Sequence, residues 1–142
     1  MKYLLDTNVL SEIRKPNGHA GVKAFINNMR EEDLFISVLS IGEIGFGIEK
    51  LPAGPKKTEL LIWLTQKLPD RFGNRIIPLD ADIMAEWGRL KARTSQSLPV
   101  FDSLIAASAL ARRLTLVTRN VKDFEKIEGI ILLNPWTAIP YS

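Results

Sequence analysis

Tyr3, Leu4 and Leu5 are apolar on three successive positions, and the run ends at the carboxylate of Asp6. Consecutive rather than alternating apolar residues suit a strand covered on both faces, the situation of a parallel sheet. Such a strand points to an α/β fold with helices on both sides of the sheet, a reading that the rest of the chain must support. Ligands of such sheets bind in the crevice beyond the carboxyl ends of the strands. Asp6 would stand at that edge, with Thr7 and Asn8 opening the next helix. A plain capping role for Asp6 is the competing reading, and the placement of the other acids bears on the choice.

The rest of the chain alternates in the same way. Val9, Leu10 and Ile13 have helical spacing up to the breaker Pro16-Asn17-Gly18. Val22, Phe25, Ile26 and Met29 give a second helix. Residues 34–38 read as strand two, and Ser40 opens a third helix running to about Leu51, before Pro52-Ala53-Gly54-Pro55. A fourth helix carries Leu60-Leu61-Ile62-Trp63-Leu64 and ends near Pro69. Five apolar residues in a row cover more than one helix face, so part of this surface is expected to meet another chain; a deeply buried helix is the alternative. Residues 75–79 read as strand three, followed by a helix capped by Asp80 that carries Ile83, Trp87 and Leu90, with Arg89 and Arg93 on its solvated side. Leu98-Pro99-Val100-Phe101-Asp102 introduces an alanine-rich helix from Ser103 to about Arg113. Residues 115–118 and 130–133 read as strands four and five, the last stopped by Pro135. The pattern predicts a three-layer α/β/α domain on a parallel five-stranded sheet, with residues 1–142 as one domain free of repeats and linkers.

Composition removes several classes of function. There is no cysteine, which excludes a disulfide framework and a thiolate metal site. The single histidine, His19, lies in a turn-rich stretch and reads as a solvated loop residue, which argues against zinc. No apolar run reaches the roughly 18 residues of a membrane span, and the amino terminus lacks a signal-peptide core, so a cytoplasmic protein is expected. A net charge of +3 permits a nucleic-acid partner without requiring one.

Four acids fall just after strands or at helix starts: Asp6, Glu43, Asp102 and Asp123. Each has a structural reading of its own. Ser40 and Glu43 fit an S-x-x-E capping box, Asp102 complements a helix dipole, and Asp123 can cap a turn. Gathered at one edge of a parallel sheet, they would share a crevice. Two carboxylates about 5 Å apart repel by about 3 kcal/mol at an effective dielectric of about 20, a heavy cost unless a cation neutralises it. Oxygen ligands without His or Cys point to Mg²⁺ or Mn²⁺. Metal-assisted phosphodiester cleavage by an activated water is the chemistry such clusters support.

The chain resembles the PIN-domain nucleases, and among them the VapC-type toxins of toxin–antitoxin pairs. Leu5-Asp6-Thr7-Asn8 is similar to the family's opening L-D-T-N, and Ser37 through Glu43 and Gly47 to its S-x-x-x-x-x-E-x-x-x-G block. Pro99, Asp102 and Ile105-Ala106-Ala107 resemble P-x-x-D-x-x-I-A-A, and Thr118-Arg119-Asn120, Asp123-Phe124 and Asn134-Pro135-Trp136 resemble its T-R-N-x-x-D-F and N-P-W ending. The resemblance implies a PIN-like fold in which Asp6, Glu43 and Asp102 hold the metal. Where many relatives carry an acid after T-R this chain has Asn120, so either Asp123 or Asn120 fills the fourth position. Thr7, Asn8 and Thr118 would be supporting polar residues. A homodimer, an antitoxin whose peptide fills the cleft, and contact with operator DNA only through that antitoxin are also implied. Arg14, Lys15, Arg119 and Lys122 lie near the predicted edge and are candidates to hold the backbone of a single-stranded RNA substrate, with ordinary solvated charges the competing reading for each.

Three other readings fit less well. A haloacid-dehalogenase-like phosphatase would need a second acid where Asn8 stands. A receiver domain would need paired acids after strand one. Gly54-Pro55-Lys56-Lys57-Thr58 lacks the G-x-x-x-x-G-K-[ST] pattern of a phosphate loop. The non-enzymatic alternative is a subunit of an operator-binding complex with little nuclease activity. Four carboxylates argue against it, because a phosphate-binding surface has no use for them without a metal.

Overall fold

Tyr3–Leu5 forms β1, the middle strand of the sheet, in a computed structural model that describes residues 1–94 and 98–137. Among these residues the sheet has four further strands: β2 (Leu34–Ser37), β3 (Ile76–Ile77), β4 (Thr115–Val117) and β5 (Leu132–Leu133). Their order is β3-β2-β1-β4-β5, and every pairing is parallel. The chain builds outward from β1 to β3, then returns to the other side of β1 for β4. The strand order therefore reverses between β1 and β4, which opens a crevice at their carboxyl ends.

Alternate strand residues enter different cores. Tyr3 and Leu5 join Leu34, Ile36 and Val117 on one face, while Leu4 joins Ile77 and Leu116 on the other. This is why β1 must be apolar at every position. The first face is covered by α1 (Thr7–Arg14), α2 (Ala20–Asn28), α4 (Pro55–Ile62) and α5 (Leu68–Phe72), which contribute Leu10, Phe25, Leu60 and Phe72. The second is covered by α6 (Ala81–Arg93) and α7 (Val100–Arg112), with the short α8 (Val121–Phe124) closing its end through Phe124. Helix α3 (Val38–Glu49) gives Ile48 to the first core and Leu39 to the second. The small residues Ala106, Ala107 and Ala109 of α7 are buried, letting its backbone lie close to its neighbours.

Several boundaries differ from the sequence reading. Strand two stops at Ser37, whose hydroxyl accepts from Leu39 N at 3.0 Å and so caps α3. Ser40 and Glu43 consequently form no capping box; both lie inside the helix. Strand three shrinks to two residues because Arg75 belongs to a 3₁₀ turn, where its guanidinium donates to the carbonyls of Glu31, Leu34 and Arg71. Pro78 beyond it has no N–H for a ladder. Strands four and five are each shorter at one or both ends than 115–118 and 130–133.

The fourth helix does not end near Pro69. It passes through a π turn at Trp63–Lys67, closed by Leu68 N to Trp63 O, and continues as α5 with Pro69 in its first turn. The wide turn seats Leu60 and Leu64 in the core and leaves Leu61 and Trp63 packed against it. Most of that apolar run is therefore internal, and Ile62 is its exposed member at 41%. His19, although exposed, is more than a solvated loop residue: its Nδ1 accepts from Gly21 N and Val22 N and caps α2. No described helix is long and apolar enough to cross a membrane.

Candidate active site

The last residue of β1 hands the chain to Asp6, and the last residue of β4 hands it to Thr118; these two adjacent strands bring both side chains to the crevice. Asp6 N donates to Val117 O at 2.9 Å, which continues the ladder one residue past the strand. The Asp6 side chain, 9% exposed, is a cap and a site residue at once. Its Oδ1 accepts from Thr7 N and its Oδ2 from the hydroxyl of Thr118, each at 2.8 Å. Thr118 is fully buried, and its Oγ1 in turn accepts from Asn120 N at 3.1 Å. Burial pushes the Asp6 carboxyl above its ordinary value of 3.8, and the bonds from Thr118 and Thr7 pull partly back.

Glu43 reaches the same edge from α3. Thr7 Oγ1 donates to Glu43 Oε1 at 2.7 Å and lies 2.8 Å from Ser40 Oγ. A hydroxyl has one proton, and a carboxylate can only accept. With the Thr7 proton committed to Glu43, Ser40 must donate to Thr7, giving a Ser40–Thr7–Glu43 chain. Ser40 is fully buried. Sequence reasoning placed Ser40 in a cap; its position one helical turn before Glu43 was the available signal for the role it has here.

Asp102 enters from the first turn of α7, after Pro99, which provides no side-chain cap. Its carboxyl is held above the usual value of 3.8, first by burial and then by the negative charges of Asp6, Asp123 and Glu43. The negative charges of Asp6, Asp123 and Glu43 all reach Asp102, which puts it among the other three acids at this edge. Among the described residues, none of the four has an ion-pair partner. They stand apart, however: no three acidic or histidine side chains among the described residues form a ready ligand cage. By chemistry the set suits a hard divalent cation, with oxygen donors only and mutual repulsion for the cation to relieve.

The remaining predicted residues divide. Asn8 Oδ1 lies 3.5 Å from Arg119 N, at the long limit of a hydrogen bond, and so ties α1 to the turn after β4. Asn120 is exposed, and its side chain makes no hydrogen bond among the described residues, whereas the exposed Asp123 acts on Asp102 electrostatically. Arg119 lies over the ring of Trp136, 5.2 Å from its centroid. Arg14 and Lys15 sit at the far end of α1, about 10 Å of helix from Thr7. There Arg14 approaches the Trp63 ring and Lys15 pairs with Glu12 at 3.7 Å, so the structure does not bring these two to the carboxylates. Lys122 lines a cavity of about 550 Å³ enclosed by α6, α7 and α8, which also borders Asp102 and Asp123.

A parallel sheet in this order, with acids converging where the order reverses, is the arrangement of a PIN domain, and the family model so described matches residues 3–130. The chain belongs to that family. Its relatives within that family include ribonucleases of the VapC type. The VapC ribonuclease Y4jK of Sinorhizobium fredii is 32% identical over 136 residues, covering 94% of this chain and 96% of the relative. The tRNA(fMet)-specific endonuclease VapC of Shigella flexneri is 32% identical, covering 92% and 95%. Among solved structures, FitAcB from Neisseria gonorrhoeae superimposes with a TM-score of 0.88 at 30% identity, covering 96% of this chain and 99% of that one. FitAB bound to an IR36 DNA fragment superimposes with a TM-score of 0.86 at 29% identity, covering 96% and 97%.

Proposed function

We propose that this chain is a VapC-type ribonuclease, the toxin of a toxin–antitoxin pair, which cleaves single-stranded RNA with the help of Mg²⁺ or Mn²⁺. Relatives named as ribonucleases and endonucleases along nearly the whole chain support the activity class. The observation that carries the metal-dependent reading is geometric: Thr7 joins Asp6 and Glu43 at one crevice, and Asp102 stands close enough for its carboxyl to feel both and Asp123. Such mutual repulsion is a defect in a binding module and an asset in a cation site.

Asp6, Glu43 and Asp102 would hold the cation, with Asp123 rather than Asn120 as the fourth acid. A divalent cation there supplies a lowered water pKa and charge neutralisation at the phosphodiester. The protein's own part is positional. Thr118 and Thr7 N fix the two oxygens of Asp6, and Ser40 through Thr7 fixes Oε1 of Glu43. Asp102 approaches from α7 and, like Glu43, is more open to solvent than Asp6, so a phosphodiester can reach it. Arg119 and Lys122 flank this group and would meet the RNA backbone. No histidine stands among these residues to activate a ribose 2′-hydroxyl, so cleavage should leave a 5′-phosphate and a 3′-hydroxyl.

A toxin–antitoxin complex from Klebsiella pneumoniae and the FitAB structure with its DNA fragment support an antitoxin partner. The reading adds a homodimer and contact with operator DNA only through that antitoxin. The test is a panel of defined RNAs incubated with Mg²⁺, Mn²⁺ or EDTA, with Asp6→Asn as control and the product ends analysed. Metal-dependent cuts with 5′-phosphates, absent in the variant, are expected. Cuts that persist in EDTA, or 2′,3′-cyclic phosphate ends, would overturn the mechanism.

A further inference from the structure

The cavity enclosed by α6, α7 and α8 plays no part in the reading so far, yet it adjoins the carboxylates. At about 550 Å³ it has the size of a small-ligand pocket. Leu90, Leu98 and Ile127 give it apolar surface, and Arg93, Lys122 and Lys126 bring three cationic side chains to it. Carboxylates border it too: Asp102 and Asp123 of the acidic group, Glu86, which pairs with Arg89, and Glu128. All three cations are exposed, and among the described residues none has an ion pair or a side-chain hydrogen bond. Two other cations of these helices are paired, Arg89 with Glu86 and Arg112 with Asp80, whereas Lys91 of α6 has no ion pair among the described residues. Charges left without internal partners around a concave, half-apolar space fit a ligand that is itself part anionic and part flat and apolar.

We propose that this cavity receives the nucleotide next to the scissile phosphate of a single-stranded RNA, its base against Leu90, Leu98 and Ile127 and its phosphate among Arg93, Lys122 and Lys126. The inference rests on the nuclease reading and assigns part of the substrate to a place. Asp102 and Asp123 border both the cavity and the acidic group, so a strand whose phosphate lies at the carboxylates has its neighbouring nucleotide at the cavity mouth. An acidic peptide satisfies the cations but offers the apolar wall no base, and it carries no phosphodiester to lead it past Asp102. Lys122 belonged to the sequence expectation, but Arg93 and Lys126 did not. Their signal was spacing: Leu90 and Arg93 are three apart on α6, and Lys122 and Lys126 are four apart across the end of α8.

The experiment uses the full chain and a single-stranded RNA that the wild-type protein cleaves, with 4-thiouridine placed beside the cut. In the Asp6→Asn background, which holds RNA without cutting it, photo-crosslinks mapped by mass spectrometry should fall within 86–94 and 121–128. In the otherwise wild-type chain, Arg93→Ala with Lys126→Ala should raise KM about tenfold, the loss falling on KM and not on kcat. The slope of log affinity against log salt should shrink by about 0.7 for each cation removed. RNA that is cleaved normally by the double variant, with crosslinks elsewhere, would overturn the subsite and leave the nuclease reading standing; the cavity would then belong to another occupant such as a protein segment. Absence of any RNA cleavage or binding in the wild-type chain would overturn both.

Discussion

Asp102 carries two opposed demands that a single substitution separates. Its carboxyl is held above 3.8 by burial and by three neighbouring negative charges. A carboxyl with a raised folded-state value contributes stability below its unfolded value and loses it as pH rises through the folded one. At neutral pH the ionised Asp102 is therefore a net burden on the metal-free fold. Asp102→Asn should abolish cleavage and at the same time raise the metal-free melting temperature at pH 7, by roughly 1–3 °C once solvent screening of this half-buried group is allowed for. The gain should vanish near pH 3, where both proteins are uncharged at that position. Mg²⁺ should raise the melting temperature of the wild type and do little for the variant; a variant less stable than the wild type at pH 7 would contradict the shared-space account. Thr118→Val tests the other end of the crevice. It removes the buried hydroxyl that donates to Asp6 Oδ2, at nearly constant volume, and should cost about 1–3 kcal/mol in denaturant unfolding. Asp6 was legible because it ends an apolar run, and Asp102 and Asp123 because they lie in the first turn of a helix, whereas Glu43 was picked out by a capping-box spacing that α3 does not use. The bonds that hold these acids were not legible, since Ser40–Thr7 and Thr118–Asp6 join residues 33 and 112 apart in the chain.

Helix α3 shows how one residue of register changes the meaning of a motif. The S-x-x-E spacing of Ser40 and Glu43 imitates a capping box, but Ser37 takes the cap, three residues earlier. The strand apolar pattern alone could not place that boundary, because Leu34, Ile36, Val38 and Leu39 are apolar on both sides of it. The two serines should therefore behave differently on replacement. Ser37→Ala should destabilise the fold by about 1 kcal/mol, the ordinary loss of a cap. Ser40→Ala should leave that cap whole and instead free Thr7 from its donor, weakening Mg²⁺ binding measured by calorimetry, with Ser40→Thr restoring it. Equal stability losses with unchanged metal affinity in Ser40→Ala would return Glu43 and Ser40 to the capping-box reading. The fourth helix is the second instance. Pro69 signals an ending by its lack of an N–H, yet the π turn before it lets the chain carry that proline in the first turn of α5. Periodicity at 3.6 residues has no means of announcing such a turn.

At the scale of the whole molecule, the alternation of strands and helices sufficed for the parallel sheet and its two flanking layers, because an uninterrupted apolar strand is buried nowhere else. Association is a different matter. The apolar run 60–64 led to the expectation of a homodimer, but the π turn turns most of it inward, leaving Ile62. The exposed large apolar side chains of α4 and of the adjoining α3 are Ile62 and Phe46, the latter 68% exposed, with Val38 at the start of α3. The ammonium of Lys50 lies 4.8 Å from the Phe46 ring centroid, a contact that does not remove the ring from water. An aromatic ring so open is a burden on a monomer and an anchor in an interface. The dimer proposal thus moves from Trp63, which packs on the core, to Phe46 and Ile62. Sedimentation velocity of the isolated chain should give a dimer at micromolar concentration. Phe46→Glu with Ile62→Glu should convert it to a folded monomer, both positions being open enough to accept a charge, whereas Trp63→Glu should lower stability first. A wild-type chain that sediments as a monomer at about 100 μM, or a double variant that remains dimeric, would remove these residues from any self-association surface.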